Sequence, residues 1–240
     1  MYAIEAIGLI KDFEKTRAVD DLDLIVEEGQ VVALLGPNGA GKTTTLMMLL
    51  GVIEADAGQI SLLGHTLPAG RQRALEMINF TASYVGMPYR MKIRHHLSVA
   101  ADIYGVPKKR IYEVCEMFRI TDLLERFTTH MSSGQKTLVG LAKAMLNRPR
   151  LLILDEPTAS LDPEVAAQVR DVIRQSQQEE DFTLLITSHN MADIERLCER
   201  VIFIARGKVV ADGHPEDVAR DRGVRDLEST FLSIATEARP

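Results

Sequence analysis

Apolar and polar positions change rhythm along this chain. Near the N-terminus the period is two: Leu22, Leu24 and Val26 alternate with Asp21, Asp23, Ile25 and Glu27, and only Ile25 breaks the alternation. This predicts a half-buried strand, a turn at Glu28-Gly29, and then a fully apolar strand from Val31 to Leu35. A glycine-rich turn at 36–41 leads into a predicted helix, Thr43 to Leu50, stopped by Gly51. A short strand, Gln59 to Leu63, is bounded by Gly58 and Gly64. In the middle the period turns helical. Leu97, Ala100, Ala101 and Tyr104 fall at i, i+3, i+4 and i+7, as do Ile111, Val114, Cys115 and Phe118, and again Leu138, Leu141, Ala142 and Met145. Three amphipathic helices from about 92 to 147 suggest a helical insertion in an α/β frame. Strand and helix alternate once more at Leu151 to Leu154, Val165 to Ser176, Thr183 to Thr187 and Met191 to Leu197. A closing hairpin, Val201 to Ile204 and Val209 to Ala211, turns at Arg206-Gly207, and the tail after Asp212 is polar and helix-prone.

Composition narrows the picture. With 240 residues, 46% of them apolar, the chain can bury one large core. A net charge of −6 argues against a broad grip on nucleic acid. The basic cluster Lys108-Lys109-Arg110 reads as a solvated face, and Glu179-Glu180-Asp181 as a solvated turn. Cys115 and Cys198 stand far apart, at helical core spacing, which suits a reducing compartment and makes no disulfide framework. The adjacent His95 and His96 point to different faces of a helix, and His65, His130 and His214 have no partners at ligand spacing, so no metal cluster is expected. The aliphatic runs are strand length, the start lacks a secretory signal and the end lacks a lipidation motif, so a cytoplasmic protein without direct membrane insertion is expected.

The chemistry concentrates in a few segments. Gly36-Pro37-Asn38-Gly39-Ala40-Gly41-Lys42-Thr43 matches G-x-x-x-x-G-K-[ST] between a buried strand and a helix, the context a phosphate-binding loop needs. Glycines let backbone N–H groups surround polyanionic oxygens, and a helix N-terminus adds partial positive charge. Lys42 would reach the β- and γ-phosphates of a nucleotide, with Thr44 beside it, and the Thr43 hydroxyl would ligate Mg²⁺. A second magnesium support belongs at the end of a neighbouring parallel strand, where Leu151 to Leu154 are followed by Asp155 and Glu156. Asp155 would hold the metal through water, and Glu156 would polarise an attacking water. Ser132-Ser133-Gly134-Gln135, ahead of a helix beginning near Lys136, is either a second anion site or an ordinary N-cap.

In this order the segments resemble the nucleotide-binding subunit of ATP-binding-cassette (ABC) transporters over nearly the whole chain. Thr158-Ala159-Ser160-Leu161-Asp162-Pro163 and Thr187-Ser188-His189-Asn190 are similar to single-cassette ATPases of drug, antibiotic, lipid or polysaccharide exporters. The resemblance implies a P-loop NTPase (RecA-like) α/β core with an N-terminal antiparallel β element and an inserted helical subdomain. Residues 1–240 would form one cassette: core and β element at 1–82 and 149–215, helical subdomain at 90–147, and a helical tail at 216–240. It further implies that Phe13 stacks on adenine, that His189 contacts the γ-phosphate, and that Asp162 lies in the loop joining two ATP sites. Two copies would pack head to tail, the signature of one over the P-loop ATP of the other, as a homodimer. A separate membrane-spanning permease would carry the solute and hold the cassettes on the inner face of the cell membrane.

Three departures stand out. The signature reads Met131-Ser132-Ser133-Gly134-Gln135, with Ser133 in place of a glycine, and Leu138 stands where many members carry a basic residue. Counting back from Ile93-Arg94-His95-His96-Leu97 puts Ser83 in the place of the magnesium-contacting glutamine. The apolar, aromatic segment Tyr84 to Met91 that follows would adjoin the groove receiving a helix of the permease. The alternatives to an exporter ATPase are a soluble non-transport cassette ATPase and a nucleotide-sensing regulatory subunit; the absence of a second cassette and the presence of Glu156 and His189 weigh against them.

Overall fold

The alternating N-terminal pattern becomes a long antiparallel pair in a computed structural model that describes residues 1–14, 16–82 and 86–238. Strand β1 (Tyr2–Phe13) pairs with β2 (Thr16–Glu27), whose Val19, Leu22, Leu24 and Val26 are buried while Asp21, Asp23 and Glu27 are exposed. The apolar run is β3 (Val31–Leu35), and α1 (Lys42–Leu49) follows it, one residue earlier at each end than the pattern suggested. Next come β4 (Ala57–Leu62), β5 (His65–Thr66) and α2 (Arg71–Glu76). β6 (Ile78–Ala82), α3 (Ile93–Ile103), α4 (Lys109–Met117), α5 (Ser133–Ala144), β7 (Leu151–Asp155) and α6 (Pro163–Glu180) continue the chain. It ends with β8 (Thr183–Thr187), α7 (Met191–Leu197), β9 (Arg200–Ala205), β10 (Lys208–Gly213), α8 (Pro215–Asp221) and α9 (Leu227–Glu237).

These elements gather into two compact units, Met1–Leu75 with Thr183–Pro240 and Glu76–Phe182. In the first, an antiparallel sheet runs β2-β1-β4-β5, and β3 lies parallel between β8 and β9, with β10 antiparallel beyond β9. Strands β3, β8 and β9 are nearly continuous runs of buried aliphatic residues, the composition expected of strands covered on both faces. In the second unit, β6 and β7 pair in parallel from Ile78 opposite Leu151 to Ala82 opposite Asp155. The three helices predicted for the middle of the chain are α3, α4 and α5, all in this unit. Helix α5 rides close to β6: a Cβ at Gly140 would stand 2.9 Å from the Thr81 hydroxyl.

Two surface readings are overturned together. Arg110 is buried, not solvated, and its guanidinium donates to the Met145 carbonyl and to Glu180, each at 3.0 Å. Glu179 and Glu180 belong to the last turn of α6, so the acidic run is a helix end whose Glu180 receives a charge from α4. A local charge pattern reports no partner seventy residues away, and so it missed this pair. Both cysteines are buried as their spacing implied, and burial pushes the Cys115 thiol up to about 11 and Cys198 up to about 12. His96 also faces inward: burial, and then the Lys143 ammonium, holds its imidazole below the ordinary value.

Candidate functional site

The phosphate loop is built by exclusion of side chains. Gly36, at φ 150°, leaves the end of β3 so close to β9 that a Cβ would strike the Ile204 carbonyl oxygen. At Gly41, φ 108°, a Cβ would stand 2.5 Å from the Ala18 carbonyl oxygen of β2. Gly207, which sequence reasoning placed only in a hairpin turn, completes this junction. Its N–H donates to the Ala40 carbonyl at 2.9 Å, and its own carbonyl accepts from the Asp20 N–H at 3.0 Å. The loop is thereby tied to both the β9–β10 hairpin and β2.

The loop then passes into α1, with Gly41 at the N-cap and no acidic side chain in the first turn. The Lys42 ammonium bends back over the loop and donates to the Gly36 and Pro37 carbonyls, at 2.5 and 3.1 Å. Thr45, buried, donates both its N–H and its hydroxyl to the Gly41 carbonyl, at 2.8 and 2.9 Å. Asn38, Gly39 and Thr43 are exposed, while Pro37 and Thr44 are half-buried. Such a cradle of backbone at a helix N-terminus, with no acidic side chain in the first turn, suits a polyphosphate.

His189 arrives at the same edge by register. β3 and β8 run parallel with Ala33 opposite Ile186, and three residues further along each chain stand Gly36 and His189. His189 is exposed just beyond β8, and its neighbours are anchored: the Ser188 hydroxyl accepts from the Asn190 N–H at 3.0 Å, and the Asn190 side chain caps α7.

Phe13 ends β1 with 46% of its surface exposed. The strand end is held rigid, since Asp56 accepts from the Asp12 N–H at 2.7 Å and from the Lys11 ammonium at 2.8 Å. Those two donors, the N–H first, hold the Asp56 carboxyl below its usual range. Arg17 forks onto Asp12 at 2.9 and 3.1 Å and reaches Asp20 at 3.0 Å. A flat apolar face on a pinned hairpin end can take a stacked ring.

In the second unit the two carboxylates fall at the C-terminal end of β7, both half-buried. Glu156 has φ 51°, a left-handed conformation that costs a non-glycine residue about 1–2 kcal/mol. It falls just after β7 ends at Asp155, where the chain enters the turn that leads to α6. Ser83 lies outside the described residues; its neighbour Ala82 is the one paired with Asp155.

Of the two readings the sequence left open for the signature segment, the structure shows the N-cap. Helix α5 begins at Ser133, three residues before the expected start, because Ser132 is its N-cap. The Ser132 hydroxyl accepts from the Gln135 N–H and the Gln135 side chain accepts from the Ser132 N–H, each at 3.2 Å. Ser132 and Ser133 remain exposed, no acid occupies the first turn, and Ser133 is not among the residues at positive φ, so its side chain is accommodated without strain. The Thr137 hydroxyl lies 2.7 Å from that of Ser160, and a Cβ at Gly134 would come within 3.4 Å of Leu161. This brings the signature and Ser160-Leu161-Asp162 side by side. Thr137 was missed because nothing local in the sequence links it to Ser160. Asp162 is exposed at the N-cap of α6, where Pro163 opens the helix and the carboxylate makes no capping bond. Leu138, half-buried, lines a cleft of mixed character with Phe118, Val165 and Val169 beside Arg119 and Asp171.

The chain is similar to known proteins in sequence and fold. The family model described as ABC transporter matches residues 19–159. The chain is 35% identical to the bacitracin transport ATP-binding protein BcrA of Bacillus licheniformis, over 94% of this chain and 74% of that one. It is 33% identical to the Nod factor export ATP-binding protein I of Ralstonia nicotianae, over 88% of this chain and 67% of the relative. Among solved structures, an ATP-binding subunit of an ABC transporter superposes with a TM-score of 0.89 at 27% identity, covering 97% of this chain and 99% of the other.

Proposed function

The chain belongs to the ABC transporter family as an ATP-binding subunit, an ATPase that couples hydrolysis to transport, and from that premise we propose that it powers the export of a solute through a separate membrane-spanning permease. The reading of export rests on the relatives named for bacitracin transport and Nod factor export. The observation that carries the chemistry is the loop from Gly36 to Gly41, whose first and last glycines leave no room for a Cβ and which follows β3 as His189 follows the paired strand β8.

Each residue has a distinct task in this reading. Lys42 exchanges the Gly36 and Pro37 carbonyls for phosphate oxygens of ATP, and Pro37 to Thr44 line the polyphosphate. Phe13 stacks on adenine. Thr43 and Asp155, with Ser83, are the residues that would hold Mg²⁺, which when bound neutralises charge on the phosphate oxygens. Glu156 orients and polarises the attacking water, and His189 holds the γ-phosphate. Ser132, Ser133, Gly134, Gln135 and Asp162 meet the ATP and loop of a second copy, so a head-to-tail homodimer encloses two nucleotides. The whole of 1–240 acts as one cassette. Among the described residues no helix is long and apolar enough to cross a membrane, which fits a cytoplasmic subunit held to the inner membrane face by its permease. Tyr89, 83% exposed beside the half-buried Met87, supports a docking role for the segment leading to α3.

Two substitutions separate binding from turnover. Glu156→Gln keeps the side-chain shape but loses the basic oxygen, so ATP affinity should persist while hydrolysis falls by at least about a hundredfold. Lys42→Ala removes a charge-assisted contact made in ground and transition states alike and should weaken both. ATPase rates measured beside equilibrium nucleotide titrations test this. Full turnover in Glu156→Gln, or unchanged affinity in Lys42→Ala, contradicts the assignments.

A further inference from the structure

The tail that looked merely polar and helix-prone places an aromatic ring against His189. The centroids of the Phe231 and His189 rings are 6.2 Å apart, with their planes at 86°, an edge-to-face pair. His189 is exposed on a short segment between β8 and α7. An imidazole presents one useful nitrogen to a phosphate only if its rotation about χ2, a broad torsion, is restricted by neighbours.

Helix α9 is held firmly enough to supply that restriction. Asp226 caps it by accepting from the Ser229 N–H at 2.8 Å, and the Leu227 N–H donates to Glu195 of α7 at 3.3 Å. Leu227, Thr230 and Ile234 are buried beneath it. At its far end Arg206 donates to the Glu237 and Ala238 carbonyls, at 2.9 and 3.3 Å. Arg206 adjoins Gly207, whose N–H holds the phosphate loop at Ala40. One helix is thus tied to the hairpin under the phosphate loop and to the helix that follows His189.

We propose that Phe231 is a positioning residue that sets the orientation of the His189 imidazole toward the γ-phosphate. This rests on the reading of His189 as the γ-phosphate contact, and the test keeps the two apart. Steady-state ATPase and ATP affinity are measured on the full chain carrying Phe231→Ala, Phe231→Leu, Phe231→Tyr, His189→Ala, and His189→Ala with Phe231→Ala. Loss of the ring, in Ala or Leu, should lower kcat about five- to tenfold while KM for ATP moves less than about twofold. Tyr, which keeps the ring, should restore most of the rate, a rescue that Leu does not give although it keeps apolar bulk. In the His189→Ala background, Phe231→Ala should have no further effect. A wild-type kcat in both Ala and Leu variants, an equal loss in the His189→Ala background, or a failed rescue by Tyr overturns the role of Phe231 alone. An unimpaired His189→Ala overturns the role of His189 and, with it, this one.

Discussion

At Gly207 a single hydrogen replaces what any other residue would bring as a clash. Its φ is 77°, and a Cβ would stand 2.9 Å from both the Ala18 carbonyl oxygen and the Val19 Cα, backbone that belongs to a long paired strand and cannot yield alone. Gly207→Ala should therefore cost about 2 kcal/mol in chemical denaturation from the left-handed backbone and the contact together. Because the same residue holds Ala40, nucleotide affinity should fall as well. An alanine variant with wild-type stability and affinity would contradict the close approach. The motif residues themselves were legible from types and spacing: Gly36 to Thr43, Asp155 and Glu156 need no tertiary information to be noticed. Gly207 carried only a turn signal, since the strand that passes over it is far away in the chain.

Among elements, the Arg110 cluster joins α4 to the end of α6 and the end of α5. Arg110 bonds Glu180 at 3.0 Å and Glu113 at 3.3 Å, and Arg148 reaches the same two carboxylates at 3.4 and 3.7 Å. Arg110 heads the forces that hold the Glu113 carboxyl below its ordinary range. Removing the buried member leaves Glu180 half-buried without its closest cation, so Arg110→Ala should destabilise the chain by about 3 kcal/mol, measured by urea unfolding. Arg148→Ala, at an exposed side chain, should cost about 0.5 kcal/mol. Equal effects would show that burial does not set the difference. Strand β6 was missed for a related reason. It alternates over only five residues, and its polar positions mark no solvent face, since Asn79 and Thr81 are buried, Asn79 donating to Asn147 at 2.8 Å and Thr81 lying under α5. The amphipathic helices α3, α4 and α5, by contrast, were readable because each buries one face and exposes the other.

For the whole molecule, each chain carries two phosphate-suited helix starts, at Gly41 and at Ser132. If each ATP is shared by the loop of one copy and the signature of another, Glu156→Gln with ATP and Mg²⁺ should pass from monomer to dimer in sedimentation velocity, and Ser132→Arg should prevent it by placing bulk and a long side chain at that helix start. Dimers that form equally well with Ser132→Arg would refute the shared site. The sequence by itself determined β2 and β3, the helices α3, α4 and α5, the strand and helix alternation from β7 to β10, the phosphate-loop motif, the carboxylate pair and the family, because each depends on residues close together in the chain. Tertiary structure alone decided that Gly207 supports the loop, that Arg110 is buried against Glu180, that Thr137 joins the signature to Ser160, and that Phe231 meets His189. Those pairings are made by strand register and helix packing, which bring together side chains that no local spacing relates.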